Sequence, residues 1–354
     1  MLDPLLRLDG FLTENGLEAV TGLDPKQFLG IPFALLGAAL LAFGAQYQSR
    51  GLNKVERIVG KSAGSGLSFT HVLSLLRRPS WVSGTLLLGL AVVFQLVSLS
   101  LSPLIIVQPL GVVGLVITSI LNSRISGVKL DRRVKTSIAL AFAGIVVFVS
   151  IAAFSAADQP VTNTKLIIIL VTYLVLLLLT LLVTAMFRHR GIALIYIVGA
   201  GLLYGFVATF AKVVIGRFQQ GEFDWLTWVC VLALASGALL GMVYVQNAYS
   251  SGPPDLVVAG LTVIDPIVAV LIGIIVLGEA AGASVWAVLG FVVSGVVAVI
   301  GVLGLAKYHP QSGASALDAK AEEGETGQSS DGGEGSDRHD VTGPERTDRP
   351  EPTP

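Results

Sequence analysis

WVSGTLLLGLAVVFQLVSLSLSPLIIVQPLGVVGLVITSILN, residues 81–122, carries no charge over 42 positions. As one α-helix it would be about 63 Å long, twice the roughly 30 Å hydrocarbon core of a bilayer. Ser102 and Pro103 offer a turn at its centre, so the stretch reads as a hairpin of two membrane spans. The rest of the chain supports a membrane reading. Of 354 residues 53% are hydrophobic and 13% charged, with a mean hydropathy of +0.78. Scanning for apolar runs of about 20 residues gives nine spans: 28–48, 81–101, 104–122, 136–154, 166–187, 192–215, 225–247, 256–277 and 284–305. The fold expected is an all-α polytopic membrane protein.

Basic residues set the expected orientation. Segments 49–80 and 123–135 and the turn after the fifth span hold 13 Lys and Arg, against four in the alternate loops. The positive-inside rule then places the N-terminus outside and the C-terminus in the cytoplasm of a plasma (inner) membrane. Residues 1–27 form an extracytoplasmic segment whose Asp3, Asp9, Glu14 and Glu18 do not suit a secretory signal; an amphipathic interfacial helix and a disordered lead are both compatible with it. Residues 306–354 hold 11 of the 24 acidic residues and read as a disordered cytoplasmic tail. The remaining body has 18 basic and 13 acidic residues, a balance suited to anionic lipid rather than nucleic acid. Cys230 is the single cysteine. There is no phosphate-binding glycine loop, no His/Cys ligand cluster and no nucleophile triad, so no enzyme activity and no cofactor is expected. The expected partners are membrane lipids and a small-molecule or cation substrate, and a homodimer is compatible with the sequence.

An internal repeat organises the spans. Setting Gln95 of FQLVSLSLSPL (94–104) on Gln246 of VQNAYSSGPPDL (245–256) brings Pro103 onto Pro254. Each stretch ends one span and opens another that holds a second proline, Pro109 or Pro266, though about six residues out of step. The charge rule has the two stretches running in opposite directions, which is the mark of an inverted-topology repeat. The halves are a four-helix unit over 28–155 and a five-helix unit over 164–305.

The stretch LRRPSWVSG (76–84) and the run VFQLVSLSLSPLIIVQPLGVVGLV (93–116) resemble the NIPA-type magnesium transporters of the drug/metabolite transporter superfamily. DPIVAVLIGIIVLGE (265–279) resembles the helix of EamA-type members that ends in LGE. The resemblance spans about 28–305. It implies two inverted halves around a central substrate cavity, with one helix fewer in the first half; Asn122 and Ser123 stand where an EamA repeat carries glycine and glutamate.

The residues that carry chemistry lie inside these spans. Asp265 sits about 15 Å into its span, where an ionised carboxylate costs about 2.5–3.5 kcal/mol unless it meets a cavity, a partner or a proton path. Pro266 lacks an N–H and so frees the carbonyl of Thr262, which shares a helix face with Asp265. The competing reading is a protonated carboxyl bonded to a neighbouring helix. Gln95, Ser98 and Ser102 form a polar stripe on the second span, and Gln108, Gly111, Thr118 and Asn122 one on the third. Either stripe suits a cavity wall or interhelical hydrogen bonds, and Gly111 favours close packing on the third span. Gly201/Gly205 and Gly237/Gly241 read as packing pairs. Tyr204, with Tyr196, offers an aromatic wall. Lys212 lies near the outer end of the sixth span, placed to snorkel or to pair with Glu279, or transiently with Asp265, as a charge switch.

Together these features predict a secondary transporter working by alternating access, with substrate and proton competing for Asp265. Transport of Mg²⁺, with Asp265 as the one deep metal ligand, and a non-transporting membrane subunit are the alternatives. The subunit would show small-residue stripes facing lipid and no cavity.

Overall fold

The structure, a computed structural model, describes residues 25–59, 79–126, 131–187 and 192–308. The readings of residues 1–24 and of the tail from 309 onward lie outside the described residues. The described chain contains no strand and nine helices long and apolar enough to cross a membrane. They are α1 (Pro25–Val59), α2 (Pro79–Leu101), α3 (Leu104–Ser126), α4 (Arg132–Ser155), α5 (Asn163–Phe187), α6 (Ala193–Gln219), α7 (Trp225–Ser251), α8 (Pro254–Ile272) and α9 (Val285–Tyr308). All nine expected spans are present, with ends shifted by a few residues, and the protein is a multi-pass membrane protein. Local chemistry accounts for several boundaries. The Asp131 carboxylate accepts from the amide of Arg132 and caps α4. The α2–α3 hairpin turns at Ser102–Pro103, as its sequence requires. Trp225, Trp228 and Trp286 stand exposed at one end of the bundle, where indole rings suit a lipid headgroup layer.

Helix pairings recur between the two halves. In the first, α1 packs on α2 and α3, and α3 on α4; in the second, α6 packs on α7 and α8, and α8 on α9. Across the halves α4 packs on α9 and α3 on α8. Equivalent helices are five spans apart, an odd number, so they cross in opposite directions. The repeat register differs by one residue from the sequence alignment. Pro103 O accepts from the amides of Ile106 and Val107, and Pro253 O from those of Leu256 and Val257. Pro103 therefore corresponds to Pro253, because turn geometry rather than the glutamine match fixes the register. The added helix, α5, joins the second half through polar contacts, Tyr173 hydroxyl to Ser236 and Thr184 to the Tyr244 hydroxyl, both 2.9 Å.

Close approach depends on small residues. A Cβ on Gly144 of α4 would lie 2.5 Å from the backbone nitrogen of Ala298 on α9, and one on Gly84 of α2 the same distance from the nitrogen of Gln48 on α1. Gly201 and Gly205 seat Ile264 and Val268 of α8, and Gly237 and Gly241 seat Val207 and Tyr204 of α6. These small-residue faces are spent on packing inside the bundle, as expected of them.

Candidate functional site

The centre of α8 is where the local chemistry is least satisfied. Asp265 lies 11 residues from Pro254 and 12 from Leu277, about 17 Å from either end of the span. Its backbone is pressed against α6, since a Cβ on Gly205 would come within 3.0 Å of the Asp265 carbonyl oxygen. Its Oδ1 is buried and has no hydrogen-bond partner among the described residues. The Thr262 hydroxyl donates back to Val258 O at 2.7 Å, and Pro266 leaves the Thr262 carbonyl without its helical donor.

These three residues border a partly open cavity of about 330 Å³ between α1, α2, α3 and α8. Gln95 enters from α2, and Gln108 and Gly111 from α3; Gly37, Ala38 and Leu41 of α1 complete the wall. Asp265, Gln95, Gln108 and Thr262 are thus the polar residues bordering a small cavity whose other walls are apolar. No Lys, Arg or His is among the described residues that line it. Gly111 is a correction: a Cβ there would meet nothing within 4 Å, so this glycine borders open space instead of bringing helices together. A second, apolar crevice of about 460 Å³ lies between α3, α4, α8 and α9, and shares Val112, Thr262 and Pro266 with the first.

The remaining expected residues lie elsewhere. Ser98 is fully buried, and its hydroxyl donates to Gly30 O at 2.7 Å, so it fastens α2 to α1 and is not among the residues lining the cavity. Tyr204 rests its ring on Gly241, within electrostatic range of Asp265 but off the cavity wall. Lys212 does not snorkel; it is 4% exposed, and its Nζ donates to Leu99 O at 2.9 Å, Ser102 O at 3.0 Å and Asp158 Oδ2 at 2.8 Å. Its ion-pair partner is thus Asp158, in the α4–α5 connection, and not Asp265 or Glu279.

Glu279 is 1% exposed and accepts from the amides of Leu104 and Ile105, one on each carboxylate oxygen, both at 2.8 Å. It is positioned by the end of α8, where Gly273–Leu277 form a π-helical turn and Gly278 takes a left-handed φ of 74°. Burial pushes this carboxyl up to about 7, against the downward pull of Lys212 and the two amides, with Asp158 adding a small push upward. Asp158 is the functional candidate that the sequence reading passed over. The signal available was that it is the single acidic residue between the fourth and fifth spans.

Among the described residues no group of three or more His, Cys, Asp or Glu is placed to hold a metal ion. A cation in the cavity would have Asp265, the two carboxamide oxygens and the Thr262 carbonyl as its oxygen donors.

No protein-family model and no solved structure matches the chain. It is similar to an uncharacterized protein of Corynebacterium glutamicum, 28% identical over 261 residues, covering 72% of this chain and 86% of that protein.

Proposed function

We propose that the protein is a secondary transporter of the drug/metabolite type, moving a small organic solute or cation by alternating access with a proton exchanged at Asp265. The observation that carries this reading is the Asp265 carboxylate, left without a partner for Oδ1 beside a mid-membrane cavity. Desolvation favours the neutral form of a carboxyl, so a carboxylate at membrane depth can hold a proton when the site is empty and yield it to an arriving cation. The lining suits a solute bearing one positive charge and a few hydrogen-bonding groups, since one carboxylate meets two amides and apolar walls. Helix pairings repeated in opposite directions provide the two halves that rocking around a fixed site requires. A non-transporting subunit is disfavoured by the cavity and by glycine pairs that face inward. In our reading the Glu279 end of the bundle faces outward across the plasma membrane, following the asymmetry of basic residues.

The test is flux into proteoliposomes, with and without a pH gradient, over a panel of organic amines, amino acids, lipid-linked sugars and Mg²⁺. Uptake of a cationic organic solute that a pH gradient accelerates supports the proposal. Mg²⁺ flux alone would transfer the site to the magnesium reading, and a panel with no transported member would count against transport.

A further inference from the structure

Two charged side chains from the second half grip the two ends of one hairpin in the first. Lys212 of α6 sets its ammonium on the carbonyls of Leu99 and Ser102, at the C-terminus of α2. Glu279, just past α8, sets its carboxylate on the amides of Leu104 and Ile105, at the N-terminus of α3. Each charge has the sign that its helix end attracts, cation on the carbonyl end and anion on the amide end. Asp158 in the α4–α5 connection completes the cluster by pairing with Lys212 at 2.8 Å.

The grip lies on the same two helices as the cavity wall, nearer the Glu279 end. Gln95 lies one helical turn before Leu99, and Gln108 one turn after Leu104, so the clamped hairpin ends carry two of the polar wall residues about 6 Å further in. Between the α2–α3 turn and these wall residues the chain is tightly packed, with Leu99, Leu104, Ile105, Ile106 and Val107 all buried, so the turn and this packed layer separate the cavity from the Glu279 end. Glu279 itself is mounted on the π-helical turn and the left-handed Gly278, where α8 has left regular α geometry. Contacts of this type are also reversible. The freed carbonyls, amides and charges would all be taken up by water if the hairpin lifted, whereas interlocked apolar packing would have no such compensation.

We infer that Lys212, Asp158 and Glu279 form a gate latch that holds the cavity closed at the Glu279 end, and that releasing the α2–α3 hairpin from them opens that end to water. This goes beyond the transport reading, because it assigns which contact between the halves must break and fixes the state described here as closed at that end.

Position 111 provides the reporter, because Gly111 borders the cavity and a Cβ there meets nothing within 4 Å. Gly111→Cys is made with Cys230 replaced by serine, and its reaction with a membrane-impermeant methanethiosulfonate is followed from each side of oriented vesicles. The thiol should react slowly from the Glu279 side with the latch intact. Lys212→Met and Glu279→Ala should each raise that rate by about tenfold, the shift expected when a charge-assisted contact is lost from one of two states. Lys212→Arg should hold it near the starting value. If either buried variant fails to fold, Asp158→Asn, whose side chain is 43% exposed, decides the matter: a faster rate from the Glu279 side supports the latch, and an unchanged rate overturns it. Unchanged rates in folded Lys212→Met and Glu279→Ala, or equal increases from both sides, also overturn it. Labelling needs no solute. A faster rate in a protein that transports nothing on the flux panel would keep the latch and remove the transport reading.

Discussion

Glu279 shows how one residue can tie folding to pH. Its carboxyl is raised by burial to about 7, from an ordinary 4.5, so the folded protein keeps a proton that the unfolded chain gives up. Stability from this group is present in full below pH 4.5 and is lost as pH rises through about 7. The charged groups around it are Lys212, which pulls it down, and Asp158, which pushes it up, while Lys165 is engaged with the carbonyls of Leu277 and Pro160. Thermal unfolding in detergent should therefore occur at higher temperature at pH 5 than at pH 8, by about 2–4 °C per kcal/mol of linkage. In Glu279→Ala that difference should shrink; a variant that keeps the full pH dependence would show that the effect belongs to another group. Residues differ in how readily they can be read before a structure is known. Thr262, Asp265 and Pro266 declare themselves, because a carboxylate, a proline and a three-residue spacing inside an apolar run allow few explanations. Gly111 does not: glycine is equally the residue of close approach and of open space, and only its surroundings decide. Lys212 was recognisable as unusual, but its partner Asp158 lies 54 residues away, and no local period connects the two.

At the scale of elements, the α4–α9 crossing is the firmest contact between the halves, and its tightness makes a sharp prediction. In Gly144→Ala the new methyl group meets the Ala298 backbone at 2.5 Å, and a backbone cannot rotate away. We expect a loss of about 1–3 kcal/mol, as for other overpacked sites. Gly89→Ala, on α2, has nothing within 4 Å and should cost no stability, raising it by up to about 1 kcal/mol through helix propensity. Thermal stability of the two purified variants checks both; equal losses would indicate a helix-wide effect instead of a local clash. The spans themselves were legible, since each is an apolar run closed by charge, proline or glycine. The wall supplied by α1 was not. Gly37, Ala38 and Leu41 are small or apolar residues in an apolar helix, and nothing in their pattern separates a cavity face from a lipid face.

For the whole molecule, two halves crossing in opposite directions place the ends of all nine helices on just two surfaces. Ala281 and Ser250 are exposed at opposite ends of the bundle. With Cys230 replaced, Ala281→Cys should react with an impermeant thiol reagent in intact cells, and Ser250→Cys only after the cells are opened. The reverse pattern would invert the assigned orientation while leaving the cavity where it is. Inversion of the repeat was visible in the sequence through paired prolines and alternating basic loops, yet its register was one residue out. Two glutamines at similar depth, Gln95 and Gln246, outweighed the turn in that alignment, although the turn carries the structural equivalence.

The central claim is that Asp265 exchanges substrate for a proton inside the bundle. Asp265→Asn keeps the shape and hydrogen-bonding capacity of the side chain and removes the exchangeable charge. Asp265→Leu, measured beside it for stability, shows whether the carboxyl also holds the fold; a partnered structural carboxyl would cost about 1–3 kcal/mol when removed. The measurement that decides is solute flux in proteoliposomes at an imposed pH gradient, wild type against Asp265→Asn, at matched insertion. We predict that the asparagine variant loses the pH-driven component of flux entirely while remaining inserted and stable. Flux with the magnitude and pH dependence of the wild type would contradict the account, and would leave the Thr262, Asp265 and Pro266 face to be explained by packing alone.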